Sequence, residues 1–227
     1  MPVLTELRGS KGPNLPVGTV DYSQKFQDQY SNVLRLYFNE IDNITGALLQ
    51  GAGGRFLGFP HIAASDSTDQ FATGNNIATV VKWNTLDSGL AWTLNPPGSA
   101  TADYAGVYKI TYSLQFINTD NAIHYVTVWL KVNGSDVANS ATKFAIPARK
   151  SASPGEEGFV CAYSEITFIV DAGDEIELYW ATNKAYNPVG PVNGVYMLHE
   201  PAQTTPFAHP AIPSAVGSIT FVSRKPT

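Results

Sequence analysis

The chain has 227 residues, of which 44% are hydrophobic and 15% charged, and a net charge of −5. That is enough apolar material for one sizeable core plus an extension. With no basic block and no long uninterrupted apolar window, neither a nucleic-acid partner nor membrane insertion is expected.

Residues 1–20 (MPVLTELRGSKGPNLPVGTV) hold three Pro and three Gly. They read as an extended N-terminal arm, either disordered or threaded along a partner. Met1-Pro2-Val3 leads into charged and Gly/Pro-rich sequence, so no signal peptide is expected.

Over 21–50 the spacing is helical. Tyr30, Leu34, Tyr37, Ile41, Ile44 and Leu48 follow at steps of four and three, the heptad seam that brings helices side by side. Asp21 is the expected N-cap, with Gln24 placed for a capping box. Gly51, Gly53 and Gly54 end the helix. Phe26, Val33, Leu36 and Phe38 widen the apolar stripe. Such a helix either lies on its own β domain or associates with sister helices or a larger assembly.

From residue 55 to 227 the period is two, and a head domain is expected. In GVYKITYSLQF (106–116), Tyr108, Ile110, Tyr112, Leu114 and Phe116 face one way and Lys109, Thr111, Ser113 and Gln115 the other. That is a half-buried antiparallel strand. HYVTVWLKVNG (124–134) and YSEITFIV (163–170) repeat the pattern, as does DAGDEIELYW (171–180), which turns at Ala172-Gly173-Asp174 and then places Ile176, Leu178 and Trp180 on one face. Weaker strands are expected near 58–64, 76–84, 89–94, 141–146, 194–199 and 217–223. About ten strands with turns between them predict an all-β antiparallel jelly-roll sandwich. The Pro- and Ala-rich stretch 199–216 is expected as a long surface connection.

Catalytic motifs are lacking: there is no GxSxG, Walker A, HExxH or GxGxxG. His61, His124, His199 and His209 are scattered without metal-ligand spacing and read as surface or turn residues. Glu156-Glu157 is an adjacent loop pair whose side chains diverge, a poor acid/base couple. Asp171, Asp174, Glu175 and Glu177 surround one tight turn, either as turn chemistry or as a calcium site. Cys161, the only cysteine, is expected as a buried small hydrophobe. No catalytic residue, cofactor or metal is assigned. Tyr125, Trp129 and Tyr179 point away from the expected core. They read as subunit contacts, as rings under a covering loop, or as a stacking surface for sugars.

Gly106 and Tyr108, then Asn133 and Gly134, then Gly173 and Asp174 follow in an order that resembles the tumour-necrosis-factor and complement-head jelly roll, over roughly residues 56–223. The helix text VLRLYFNEIDN (33–43) resembles a segment that precedes such heads in structural proteins of tailed bacteriophages. The resemblance implies a homotrimer packed about a threefold axis and carries over no catalytic residue. Tyr179 and Trp180 are the expected threefold contact region. The function expected is a non-enzymatic virion component, assembled in the host cytoplasm and anchored by arm and helix to capsid, portal, neck or tail. It would serve as capsid decoration, fibre or host attachment. The alternative is a carbohydrate-binding module for host-surface glycan, with Trp129 or Tyr125 as platform. A glycan-degrading enzyme is a third, weaker reading.

Overall fold

The computed structural model describes residues 12–17, 21–49, 58–151, 153, 155–187, 193–205 and 207–225. The chain divides into two units, Met1–Phe59 and Pro60–Thr227, each taken by itself below.

The first unit holds one helix, α1 (Gln24–Leu49), about 39 Å long at the usual rise. Its cap is Ser23, two residues later than expected. The Ser23 hydroxyl accepts the Phe26 N–H at 3.3 Å, and its carbonyl accepts the Gln27 N–H at 3.1 Å. A cap must sit immediately before the first helical residue for its oxygen to reach the N–H three positions on, and Asp21 starts too early. Gln24 does not close a capping box; its amide donates to Asp28 at 3.3 Å. Along the helix Tyr30, Leu34, Tyr37, Ile41 and Ile44 are half-buried, whereas Leu36 and Phe38 are exposed on the two flanks of the seam. Leu48 lies in the helix, but its side chain is outside the described residues, as are Gly51, Gly53, Gly54 and most of the arm.

Among the described residues the second unit holds thirteen strands: β1 (His61–Asp66), β2 (Thr79–Val80), β3 (Thr85–Leu90), β4 (Trp92–Asn95), β5 (Ser99–Ala102), β6 (Gly106–Asn118), β7 (His124–Val132), β8 (Ser135–Asp136), β9 (Thr142–Ile146), β10 (Gly158–Val170), β11 (Glu175–Thr182), β12 (Val195–Met197) and β13 (Ala215–Ser223). Sheet 1 runs β10-β6-β13-β1-β3, with β12 also beside β6. Sheet 2 runs β4-β5-β11-β7, with β2 on β11 and β8 and β9 on β7. These strand pairings are all antiparallel, and the isolated bridge Ala185–Val195 is parallel. The chain changes sheet at each step from β1 to β4, from β5 to β6, back at β7, on either side of β10, and again from β11 to β12. This crossing pattern is the jelly roll.

The core lies between the two sheets. β6 contributes Tyr108, Ile110, Tyr112, Leu114 and Phe116, all buried. Val126, Val128 and Leu130 of β7 and Ile176, Leu178 and Trp180 of β11 face them from sheet 2. Each large side chain removed from water contributes about 1.5–3 kcal/mol. Rings lock the layers together: Trp92 meets Tyr108 edge-on at 5.1 Å, and Phe116 meets Trp180 at 5.3 Å.

Three regions differ from expectation. TLDSGL (85–90) is a strand on β1 although most of its side chains are exposed. The backbone ladder holds it, helped by His61–Ser88 at 3.0 Å and Ser65–Asp87 at 3.2 Å. Of 76–84 only Thr79–Val80 is strand. The stretch 199–216 is more than a surface connection. Bridges Glu200–Ile212 and Gln203–His209 fold it into a narrow antiparallel finger that carries the exposed Phe207.

Candidate functional site

The jelly roll presents two outer faces of different chemistry. On sheet 2, β7 directs Tyr125, Thr127, Trp129 and Lys131 outward, and β11 directs Glu177, Tyr179 and Ala181. Register places Tyr179 opposite Trp129, Ala181 opposite Thr127 and Glu177 opposite Lys131. The Trp129 and Tyr179 rings lie 6.1 Å apart at 33°. The Trp129 indole N–H donates to Asp136 at 2.7 Å. Lys131 Nζ stands 4.6 Å from the Tyr179 ring centre, and Lys143 Nζ 4.3 Å from that of Tyr125. Each such cation–ring contact contributes about 0.5–1 kcal/mol on a surface. The structure therefore brings together Tyr125, Trp129 and Tyr179 on one face. Trp180 is separated from them: it points into the core and is 0% exposed. Successive residues of a strand face opposite ways, so Tyr179 and Trp180 cannot share a contact surface, and Trp180 is corrected to a core residue.

Sheet 1 carries what the sequence reading missed. β10 is its end strand, and the inward positions Ala162, Phe168 and Val170 fix the alternation. The odd-numbered positions Phe159, Cys161, Tyr163, Glu165, Thr167 and Ile169 then face out, and all are exposed. Cys161 is thus an exposed thiol, 3.0 Å from the Ser113 hydroxyl, and not the buried hydrophobe expected. Its apolar neighbours in sequence belong to both faces, and that mixture misled the reading. Register extends the surface across the sheet. Tyr163 pairs with Ser113, which pairs with the exposed Val216 of β13, whereas Phe159 pairs with Ile117, which is itself buried beside Tyr196 of β12. In the rows shared by β10, β6 and β13 the charged side chains are Lys109 and Glu165, which neutralise each other at 3.3 Å. The signal available in sequence was the run of large residues at odd positions 159, 163 and 169, once β10 is extended back to Gly158.

The acidic turn is dispersed among separate partners. Lys225 holds Asp171 at 2.6 and 2.9 Å, Asn133 donates to Asp174 at 2.7 Å, and the Ser99 hydroxyl donates to Glu175. Among the described residues no three potential metal ligands converge, so the calcium reading has no ligand set there.

His124, expected as a surface or turn residue, begins β7 directly after the β6–β7 turn and is buried. Its Nε2 lies 2.9 Å from Asp120, and its Nδ1 lies 3.4 Å from the Asn183 amide. That hydrogen bond, above all, holds the Asp120 carboxyl below the usual carboxylate range. The buried Asn118 donates to the carbonyls of Ala122 and Pro147 at 2.8 Å each and accepts the Asp120 N–H at 2.9 Å. These bonds fix the β6–β7 turn. The pair is a structural clasp: the Nδ1 that a nucleophile would need is occupied by an amide.

No protein-family model matches the sequence, and no curated protein matches it. Among solved structures, the globular domain of zebrafish complement 1qA protein is similar, with 13% identity over 74% of this chain and 100% of that chain, at a TM-score of 0.42. The strand order described above, and not this likeness, defines the fold.

Proposed function

We propose that the chain is a non-enzymatic, self-associating structural component of a tailed-phage particle. In this reading the jelly-roll heads pack as a homotrimer through sheet 1, and the arm and helix attach the assembly to other virion proteins. The observation that carries the self-association is β10: a thirteen-residue end strand that exposes Phe159, Tyr163 and Ile169 beside β6 and β13, in whose shared rows the charges are the Lys109–Glu165 pair. A long apolar edge of this kind invites pairing and needs cover. In a closed ring of three, the end-strand side of one copy meets the sheet 1 face of the next, and each copy contributes both surfaces. The helix supports the same reading, because its apolar stripe extends past the seam to Leu36 and Phe38.

Two experiments separate the parts of the proposal. Removing residues 1–50 should leave a folded head while association with particles is lost. Antibody labelling of intact particles should place the chain on the virion; unlabelled particles would overturn the particle assignment without touching self-association.

A further inference from the structure

We infer that the outer face of sheet 2 is a binding site for a saccharide that carries a carboxylate, with its ring against Trp129 and Tyr179 and its acid group on Lys143. The inference concerns the opposite sheet from the proposed subunit contact and does not rest on that reading.

The argument starts from side-chain size along two strands. Outward positions on β7 run Tyr125, Thr127, Trp129, and on β11 Tyr179 and Ala181 complete the rows. Thr127 and Ala181 are direct partners in the ladder, so one row of the face is low. It lies between Tyr125 on one side and the Trp129–Tyr179 row on the other. The two rings are thus two residues away in either direction, a spacing of about 13 Å between the flanking rows. That leaves a low stretch wide enough for one sugar ring, with the Thr127 hydroxyl in its floor, Lys143 closing the β9 end of the row and overlying Tyr125, and the Trp129–Tyr179 row on the other side.

The charges along the face are unequal. Lys143 is the ladder partner of Thr127, and its ammonium lies against the Tyr125 ring. Among the described residues it has no carboxylate within ion-pair distance. Lys131, by contrast, is 3.5 Å from Asp136 and pairs in register with Glu177. The acids of this face, Asp136, Glu175 and Glu177, all lie beyond Trp129 and Tyr179, away from the low stretch. Asp136 also fixes the indole through its N–H, so the Trp129 ring is held in place before any ligand arrives. A preset aromatic wall facing one unneutralised ammonium suits a ring with an apolar face and a single anionic substituent.

The probe is a galacturonate trisaccharide compared with its methyl ester, which removes the charge and keeps the ring. Of the four tryptophans, Trp83, Trp92 and Trp180 are buried, so tryptophan fluorescence of the full chain reports ligand contact at Trp129. We expect a saturable change with the acid and binding of the ester about fivefold weaker. Lys143→Gln should abolish the difference between the two, and Trp129→Ala should weaken both about tenfold as read by calorimetry. Trp129→Phe, which keeps a ring, should restore part of the binding. No response to either sugar at millimolar concentration would overturn the site. Equal affinity for acid and ester would overturn the assigned ligand class.

Discussion

Tyr163 of β10 and Val216 of β13 flank Ser113 of β6 from opposite sides, so that two exposed apolar side chains bracket a small hydroxyl on one row of sheet 1. They are 58% and 42% exposed in the single chain. The row forms a shallow apolar saddle beside the end strand, a shape that the end-strand side of a neighbouring copy in a ring can fill. Tyr163→Glu places a charge there. It should weaken self-association about 100-fold while the circular-dichroism spectrum and melting of the head stay close to wild type. Light scattering at matched concentration checks the mass, and an unchanged mass counts against sheet 1 as the contact.

Cys161 lies on the same outer face, two residues from Tyr163. An assembled protein should shield this thiol from a disulfide reagent, and the dissociated Tyr163→Glu variant should react about tenfold faster. Equal rates in both would place the contact elsewhere.

Trp180 and Trp129 should respond in opposite ways to truncation. Trp180→Ala empties a fully buried site against Phe116 and should cost about 3–5 kcal/mol in urea unfolding. Trp129→Ala removes a half-buried ring from the surface and should cost about 1 kcal/mol or less. Similar losses for the two would contradict the assignment of Trp180 to the core.

Buried tyrosines set the alkaline limit of the head and Asp120 bears on the acid one. Burial, and then the Asp103 charge, pushes the Tyr108 hydroxyl up to about 12, and burial followed by Asp69 does the same for Tyr196. An acid whose folded pKa exceeds its unfolded value contributes fully below the unfolded value, near 10 for tyrosine. Burial raises the Tyr112 hydroxyl as well. That stability should therefore fall from about pH 10 upward, and ultraviolet difference titration should show three late-ionising tyrosines. Asp120 has the opposite sign, because its lowered pKa adds stability above the ordinary carboxylate range that is lost as pH falls through the folded value. Asp120→Asn should flatten this acid limb and remove about 1–2 kcal/mol near neutral pH.

The jelly roll was legible because β6, β7 and β11 alternate cleanly, and period two under one apolar face has a single reading. β3 was hidden because TLDSGL owes its place to backbone pairing with β1, which side-chain pattern does not record. The aromatic face of sheet 2 was half legible. Outward Tyr125, Trp129 and Tyr179 follow from alternation, whereas Trp180 was misplaced by proximity in sequence to Tyr179. The apolar face of sheet 1 was missed because β10 mixes inward and outward hydrophobes in one run, GFVCAYSEITFIV, and only its register with β6 sorts them. In the same way the cap at Ser23 depends on where α1 begins, a boundary that apolar spacing leaves open by a few residues.

The central claim is self-association, and sedimentation equilibrium of the full chain at micromolar concentration tests it most directly. The account predicts a single species of three times the 24.4 kDa chain mass, converted toward monomer by Tyr163→Glu. A wild-type mass of 24.4 kDa at every concentration would contradict it.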